Sequence, residues 1–181
     1  MVLNQVDPKP VLNHDDSTVD KSTTPPESIA TDVLNHQDPL GGAEPSSYLV
    51  PWPGSTCIIR SVSSGHVITL LDGQIKLTQP GGRGSIHWVC VETKGWLGFR
   101  NTVSGKFLGH DGNGRLRCSA DQHRGWEYFC VRPRPEGGCI LLMTHYMRLC
   151  QVGIKVEQGV EKLAKIENGE SDGIGWEFAK I

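Results

Sequence analysis

From residue 51 onward, short apolar runs alternate with glycine-containing turns, as in Cys57-Ile-Ile, Val67-Ile-Thr-Leu-Leu71, Trp88-Val-Cys-Val91, Phe107-Leu-Gly and Ile140-Leu-Leu-Met143. Runs this short with turn residues at both ends predict strands, and Asp72-Gly73 and Asn113-Gly114 predict tight hairpins because glycine there takes the positive φ the turn requires. The pattern repeats: Arg60–Gly65 aligns with Arg100–Gly105, and Cys90-Val91 with Cys130-Val131, each at an offset of 40 residues. A third, more diverged copy opens with Ile140–Met143, takes Met147-Arg-Leu-Cys150 as its second strand and matches Gly153–Gln158 to Gly73–Gln79. The closing strands then share a motif of paired large residues, Ile86-His-Trp88, Trp126-Glu-Tyr128 and Trp176-Glu-Phe178, each pair falling on one strand face. On this alignment the third copy carries an insertion of about eleven residues, Gly159 to Ser171, in which Val160, Leu163 and Ala164 with Glu161 and Lys165 at i,i+4 predict a short helical turn.

Three copies of about 40 residues with four strands each are the arithmetic of an all-β fold, the β-trefoil, placed at residues 51–181. A two-sheet sandwich of twelve strands shares the turn signals, and the 40-residue period favours the trefoil. Residues 1–50 read as a separate object. They hold two lysines against eight acids, so a formal charge of −2 overall becomes −6 there and +4 in the remainder. Six prolines and no aromatic residue before Tyr48 predict a disordered acidic tail, within which Val-Leu-Asn-His occurs at 11–14 and 33–36 and Thr24-Pro25 is a candidate phosphorylation site.

Neither half is basic enough to call for nucleic acid, and no apolar run approaches the ~20 residues that cross a bilayer. Asp7, Pro8 and Pro10 interrupt any signal-peptide core, so the expectation is a soluble, cytoplasmic protein with no membrane or nucleic-acid partner. The six cysteines form no C-x-x-C pair and sit in strand-like runs, which predicts buried free thiols and no metal.

Gly105-Lys-Phe-Leu-Gly-His-Asp-Gly-Asn-Gly114, followed by Arg115-Leu-Arg-Cys and Trp126-Glu-Tyr-Phe, resembles a fascin-type trefoil repeat. The resemblance implies a non-enzymatic binding module of the actin-crosslinking kind, with actin filaments as partner. Fascins carry four trefoils and this chain one, which places cross-linking by a monomer in question. The alternative is a lectin-like or protease-inhibitor-like trefoil that recognises a glycan or a protein. The ricin-B-type lectins use a repeated Gln-x-Trp that is missing from this sequence, leaving Trp96 as the candidate ring for stacking a sugar.

No enzyme motif emerges and no cofactor is expected. Asp111-Gly-Asn-Gly lacks the later acidic ligands of a calcium loop, with Arg115 and Gln122 in their places. Gly81-Gly-Arg-Gly84 lacks the lysine and hydroxyl of a phosphate loop, and no spacing singles out a nucleophile and its base. The candidate partner surface is a basic patch of Lys106, Arg115, Arg117, His123 and Arg124, with His110 added as a solvent-facing hairpin histidine able to titrate near ~6.5. Arg132-Pro-Arg-Pro135 reads as a rigid connector.

Overall fold

A computed structural model describes residues 50–166 and 173–181. The acidic tail, the repeated Val-Leu-Asn-His and Thr24-Pro25 lie outside the described residues, as does the end of the Gly159–Ser171 segment.

Among the described residues the regular structure is strand, apart from one short 3₁₀ turn. A first group holds β1 (Thr56–Ser61), β2 (Val67–Leu71), β3 (Gln74–Thr78) and β4 (His87–Thr93). A second holds β5 (Trp96–Asn101), β6 (Phe107–His110), β7 (Leu116–Ala120) and β8 (Phe129–Pro133), with a 3₁₀ turn at Gly125–Glu127. The third holds β9 (Cys139–His145), β10 (Arg148–Glu157), β11 (Val160–Ile166) and β12 (Trp176–Lys180). All pairings are antiparallel. Following them strand to strand, β1 pairs β4, β4 pairs β5, β5 pairs β8, β8 pairs β9, β9 pairs β12 and β12 returns to β1. These six strands therefore close a barrel, which leaves them no free edge. The other six form three hairpins, β2–β3, β6–β7 and β10–β11.

The barrel interior is filled by the inward positions of period-2 strands. Phe99 of β5 meets Phe129 of β8 edge-on at 5.6 Å and stacks on Phe178 of β12 at 5.7 Å. Ile59, Trp88, Cys90, Leu141, Met143 and Trp176 complete a layer with no solvent access. The two tryptophans satisfy their one polar group internally, Trp88 Nε1 donating to Ile68 O at 3.1 Å and Trp176 Nε1 to Val152 O at 3.3 Å. All six cysteines are free; burial raises the thiols of Cys57 to about 12 and Cys90 to about 11, so both behave as small apolar side chains.

Three expectations for local structure are overturned. Val160–Ala164 is not a helical turn but part of β11, paired with β10 from Glu157↔Val160 to Gln151↔Ile166. The real reversal is Gln158-Gly159, with φ of 53° and 75°, the same conformation as Asp72-Gly73 at 51° and 75°. Hence Val160–Ile166 is the third strand itself, not an insertion, and the two strands expected at Met147–Cys150 and Gly153–Gln158 are one continuous β10. Gly153 needs no turn; it stays in the ladder opposite Ala164, where a Cβ would lie 2.9 Å from Ile166 Cγ2. Trp126-Glu-Tyr128 is likewise not a strand: Trp126 and Glu127 belong to the 3₁₀ turn, and β8 begins at Phe129.

Candidate functional site

The barrel has three junctions at which one group of strands meets the next, and their registers can be compared. Trp88 stands opposite Asn101 and Trp176 opposite Ser61. At the third junction the same position belongs to Phe129, which stands between Leu97 and Met143 as Trp88 stands between Cys57 and Asn101 and Trp176 between Cys139 and Ser61. The difference lies two residues earlier: Ile86 and Ile174 precede the two indoles, whereas Glu127 precedes Phe129, and this carboxyl is buried, 5% exposed.

Burying an acid costs free energy unless its oxygens find partners. Glu127 Oε2 accepts the backbone N–H of Arg124 at 3.3 Å, closing the 3₁₀ turn. Burial pushes the Glu127 carboxyl up, while that amide and the neighbouring Arg117 and His110 pull it down less strongly. Room for the carboxyl comes from Gly109 on β6, where a Cβ would lie 2.9 Å from Glu127 Oε1 and 2.8 Å from Trp126 O.

Around Glu127 the aromatic side chains form a continuous run. His110 stacks on Trp126 at 5.5 Å and tilts against His145 at 5.1 Å, and His145 meets Tyr146 edge-on at 4.4 Å. Arg117 places its guanidinium 5.6 Å from the Trp126 ring centre. His110 is wedged between two carbonyls, Asp111 O at 2.7 Å from Nδ1 and Thr144 O at 2.6 Å from Nε2. A neutral imidazole has one N–H and can donate to only one of them. Thr144 also donates its hydroxyl to Gly125 O, tying β9 to the 3₁₀ turn. His145 Nε2 donates to Gly112 O at 3.2 Å.

Two features of this junction face water. Trp126 is 48% exposed, beside an open depression of about 550 Å³ lined by Asp121, Gln122, Arg124 and Glu127 among others. The β9–β10 turn is Tyr146-Met147, both non-glycine with φ of 45° and 61° and both exposed. Such a backbone is strained for ordinary side chains, and strain of this kind gathers at functional sites.

The expected site residues divide. Lys106 pairs with Asp121, and Arg115 with Glu157 at 2.8 Å, so both charges are matched. Arg117 and Arg124 reach the Trp126 region. His110 is not a solvent-facing hairpin histidine: it is buried, because the Thr144 carbonyl of β9, the Asp111 carbonyl and Trp126 enclose it. His123 is partly buried between strands, its ring stacked on Phe107 at 5.6 Å. Its Nε2 donates to Leu97 O at 3.2 Å and its Nδ1 lies 2.9 Å from the Thr93 hydroxyl, the pairing of a neutral ring, and burial lowers its pKa. Trp96, the expected sugar platform, lies parallel to Tyr128 at 5.8 Å, and this contact covers one of its faces. Asp111 Oδ1 accepts the backbone N–H of Asn113 and of Arg115, which makes its loop a side-chain-capped hairpin turn. Among the described residues no three His, Cys, Asp or Glu side chains converge as a metal-binding group.

Glu127, His145, Tyr146 and Gly109 were not anticipated. The one available signal was an acid inside the aromatic run Trp126-Glu-Tyr-Phe129, where an alternating strand would have exposed it.

No protein-family model matches the sequence, and no curated protein matches it either. Among solved structures the chain is similar to a ricin B-like lectin from Macrolepiota procera in complex with lactose, with a TM-score of 0.58 and 17% identity over 74% of this chain and 100% of that one. It is also similar to the GlcNAcα1-4Gal-releasing endo-β-galactosidase from Clostridium perfringens, with a TM-score of 0.57 and 11% identity over 70% of this chain. The match spans about a third, 32%, of the galactosidase chain. At these identities the likeness concerns the fold, and it supports the expected β-trefoil.

Proposed function

We propose that the chain is a non-enzymatic, lectin-like module that binds a glycan at the depression beside Trp126. The observation that carries this is a half-exposed indole, held by His110 and Arg117, at the edge of an open depression. Sugars are held by laying a C–H face on an aromatic ring while a few polar groups take the hydroxyls. Asp121, Gln122 and Arg124 line the same depression and offer a carboxylate, an amide and a guanidinium. The twelve strands are taken as three copies of one four-strand module, the second and third of which have diverged at their common junction to make this site. The lactose-bound lectin and the galactosidase support a glycan ligand over actin filaments. The ion pairs of Lys106 and Arg115 also reduce the basic face on which filament binding depends.

The test is a glycan array probed with the full-length protein, alongside Trp126→Ala and Trp96→Ala. The expected result is retention on a discrete set of glycans that Trp126→Ala abolishes and Trp96→Ala preserves. Retention unaffected by Trp126→Ala contradicts the site. No glycan retention, together with salt-sensitive pelleting on actin filaments, contradicts the function.

A further inference from the structure

A second cavity, of about 650 Å³, opens where the strands of the three hairpins come together, β3 from the first, β7 from the second and β10 and β11 from the third. Its lining is of two kinds. Ile75, Leu77, Leu116 and Leu163 supply apolar surface. Lys76, Arg115, Arg117 and Lys162 supply cations, against two lining acids, Asp111 and Glu161. Asp111 is already engaged by the backbone amides of Asn113 and Arg115. Arg115 and Lys162 share one carboxylate, Glu157, at 2.8 and 3.3 Å, and Lys76 forms no ion pair among the described residues. The cavity therefore joins an apolar floor to an excess of positive charge, and is far from the Trp126 indole in chemistry.

We propose that this cavity is a second binding site, for a sugar unit carrying a carboxylate or a sulfate. The C–H face of the ring lies on the Leu77 and Leu163 side, and the anion is taken by Lys76, Lys162 and Arg115. The choice of a sugar rests on the glycan-binding function proposed above, whereas Trp126 does not line this cavity and touches only Arg117 of its cations, which is not one of the three that take the anion.

The experiment is a ¹⁵N-resolved NMR titration of the full-length protein with D-glucuronate, glucose 6-sulfate, glucose and inorganic sulfate in parallel. Saturable shifts at amides of β3, β7 and β11 are expected with at least one of the two charged sugars, with affinity about millimolar for so small a ligand. Which of them binds identifies the anion. The double variant Lys76→Gln/Lys162→Gln is expected to weaken this binding by about tenfold, the size of losing a charge-assisted contact. Trp126→Ala is expected to leave it unchanged. Absence of saturable shifts with both charged sugars, or equal shifts with glucose, overturns the proposal. Equal shifts with inorganic sulfate overturn it too, since they mark a general anion site. Failure of the Trp126 site alone shows instead as lost array specificity with these shifts intact.

Discussion

At two of the three junctions of the barrel a buried indole completes the core, Trp88 opposite Asn101 and Trp176 opposite Ser61, each with its N–H bonded to a carbonyl of the preceding hairpin. At the third, Phe129 takes that place opposite Met143, but the residue two before it is Glu127 where the other junctions have Ile86 and Ile174, and Trp126, which stacks on His110, is half out in solvent. The first arrangement needs nothing beyond itself: the indole buries a large apolar surface and its one donor is satisfied. The second keeps a buried aromatic without a polar group and, in place of an isoleucine, holds a carboxyl away from water. A departure from local consistency at one of three equivalent places points to function there, because stability alone favours the solution used at the other two.

The largest expected effect tests this contrast. Trp88→Ala or Trp176→Ala should lose about 3–5 kcal/mol in urea denaturation, the usual cost of deleting a buried aromatic, and Trp126→Ala less than about 1 kcal/mol. Equal losses at the three positions would erase the distinction. Next comes the space under Glu127. Gly109→Ala places a methyl 2.8 Å from Trp126 O and is expected to cost about 1–3 kcal/mol, as overpacking does, and to weaken glycan binding. Gly112→Ala meets nothing within 4 Å and serves as the control, with a change within about 0.5 kcal/mol.

Smaller effects appear as pH dependence. Burial raises the Glu127 carboxyl above its ordinary 4.5, so the folded state holds that proton more tightly than the unfolded chain. Its contribution to stability is full below pH 4.5 and is lost as pH rises through the raised value. Glu127→Gln, neutral throughout, should therefore gain on the native protein as pH rises across that window, and a constant difference in melting temperature would contradict a buried, perturbed acid. His123 works the other way. Its pKa falls below 6.5, so its contribution is full above that pH and declines as pH drops through the lowered value. His123→Gln should flatten the acid side of the stability profile, and an unchanged slope would contradict its neutral, wedged state.

The hairpins and the repeat were legible because local chemistry specifies them. Asp72-Gly73 turns where the dipeptide predicts, and the offset of 40 residues places Ser61 and Asn101 at equivalent buried positions. The third copy misled because Gly153 resembles a turn glycine. In fact it makes room for Ile166 within a continuous ladder, and only the pairing partner reveals that. The spacing of Val160, Leu163 and Ala164 fits a helix equally well, and the register with β10 decides for a strand. The site was less legible still. Whether Trp126 or its neighbour faces inward depends on the 3₁₀ turn, and the burial of His110 depends on Thr144, 34 residues away. Alternation along one strand carries no information about either.

The most direct test of the contrast between the junctions is to observe the indole N–H resonances of the full-length protein by NMR while adding the glycan best retained on the array. The Trp126 signal, assigned through Trp126→Phe, is expected to shift saturably while those of Trp88 and Trp176 stay in place. A Trp126 signal that does not move while the glycan binds would show that the polar junction is not the binding site.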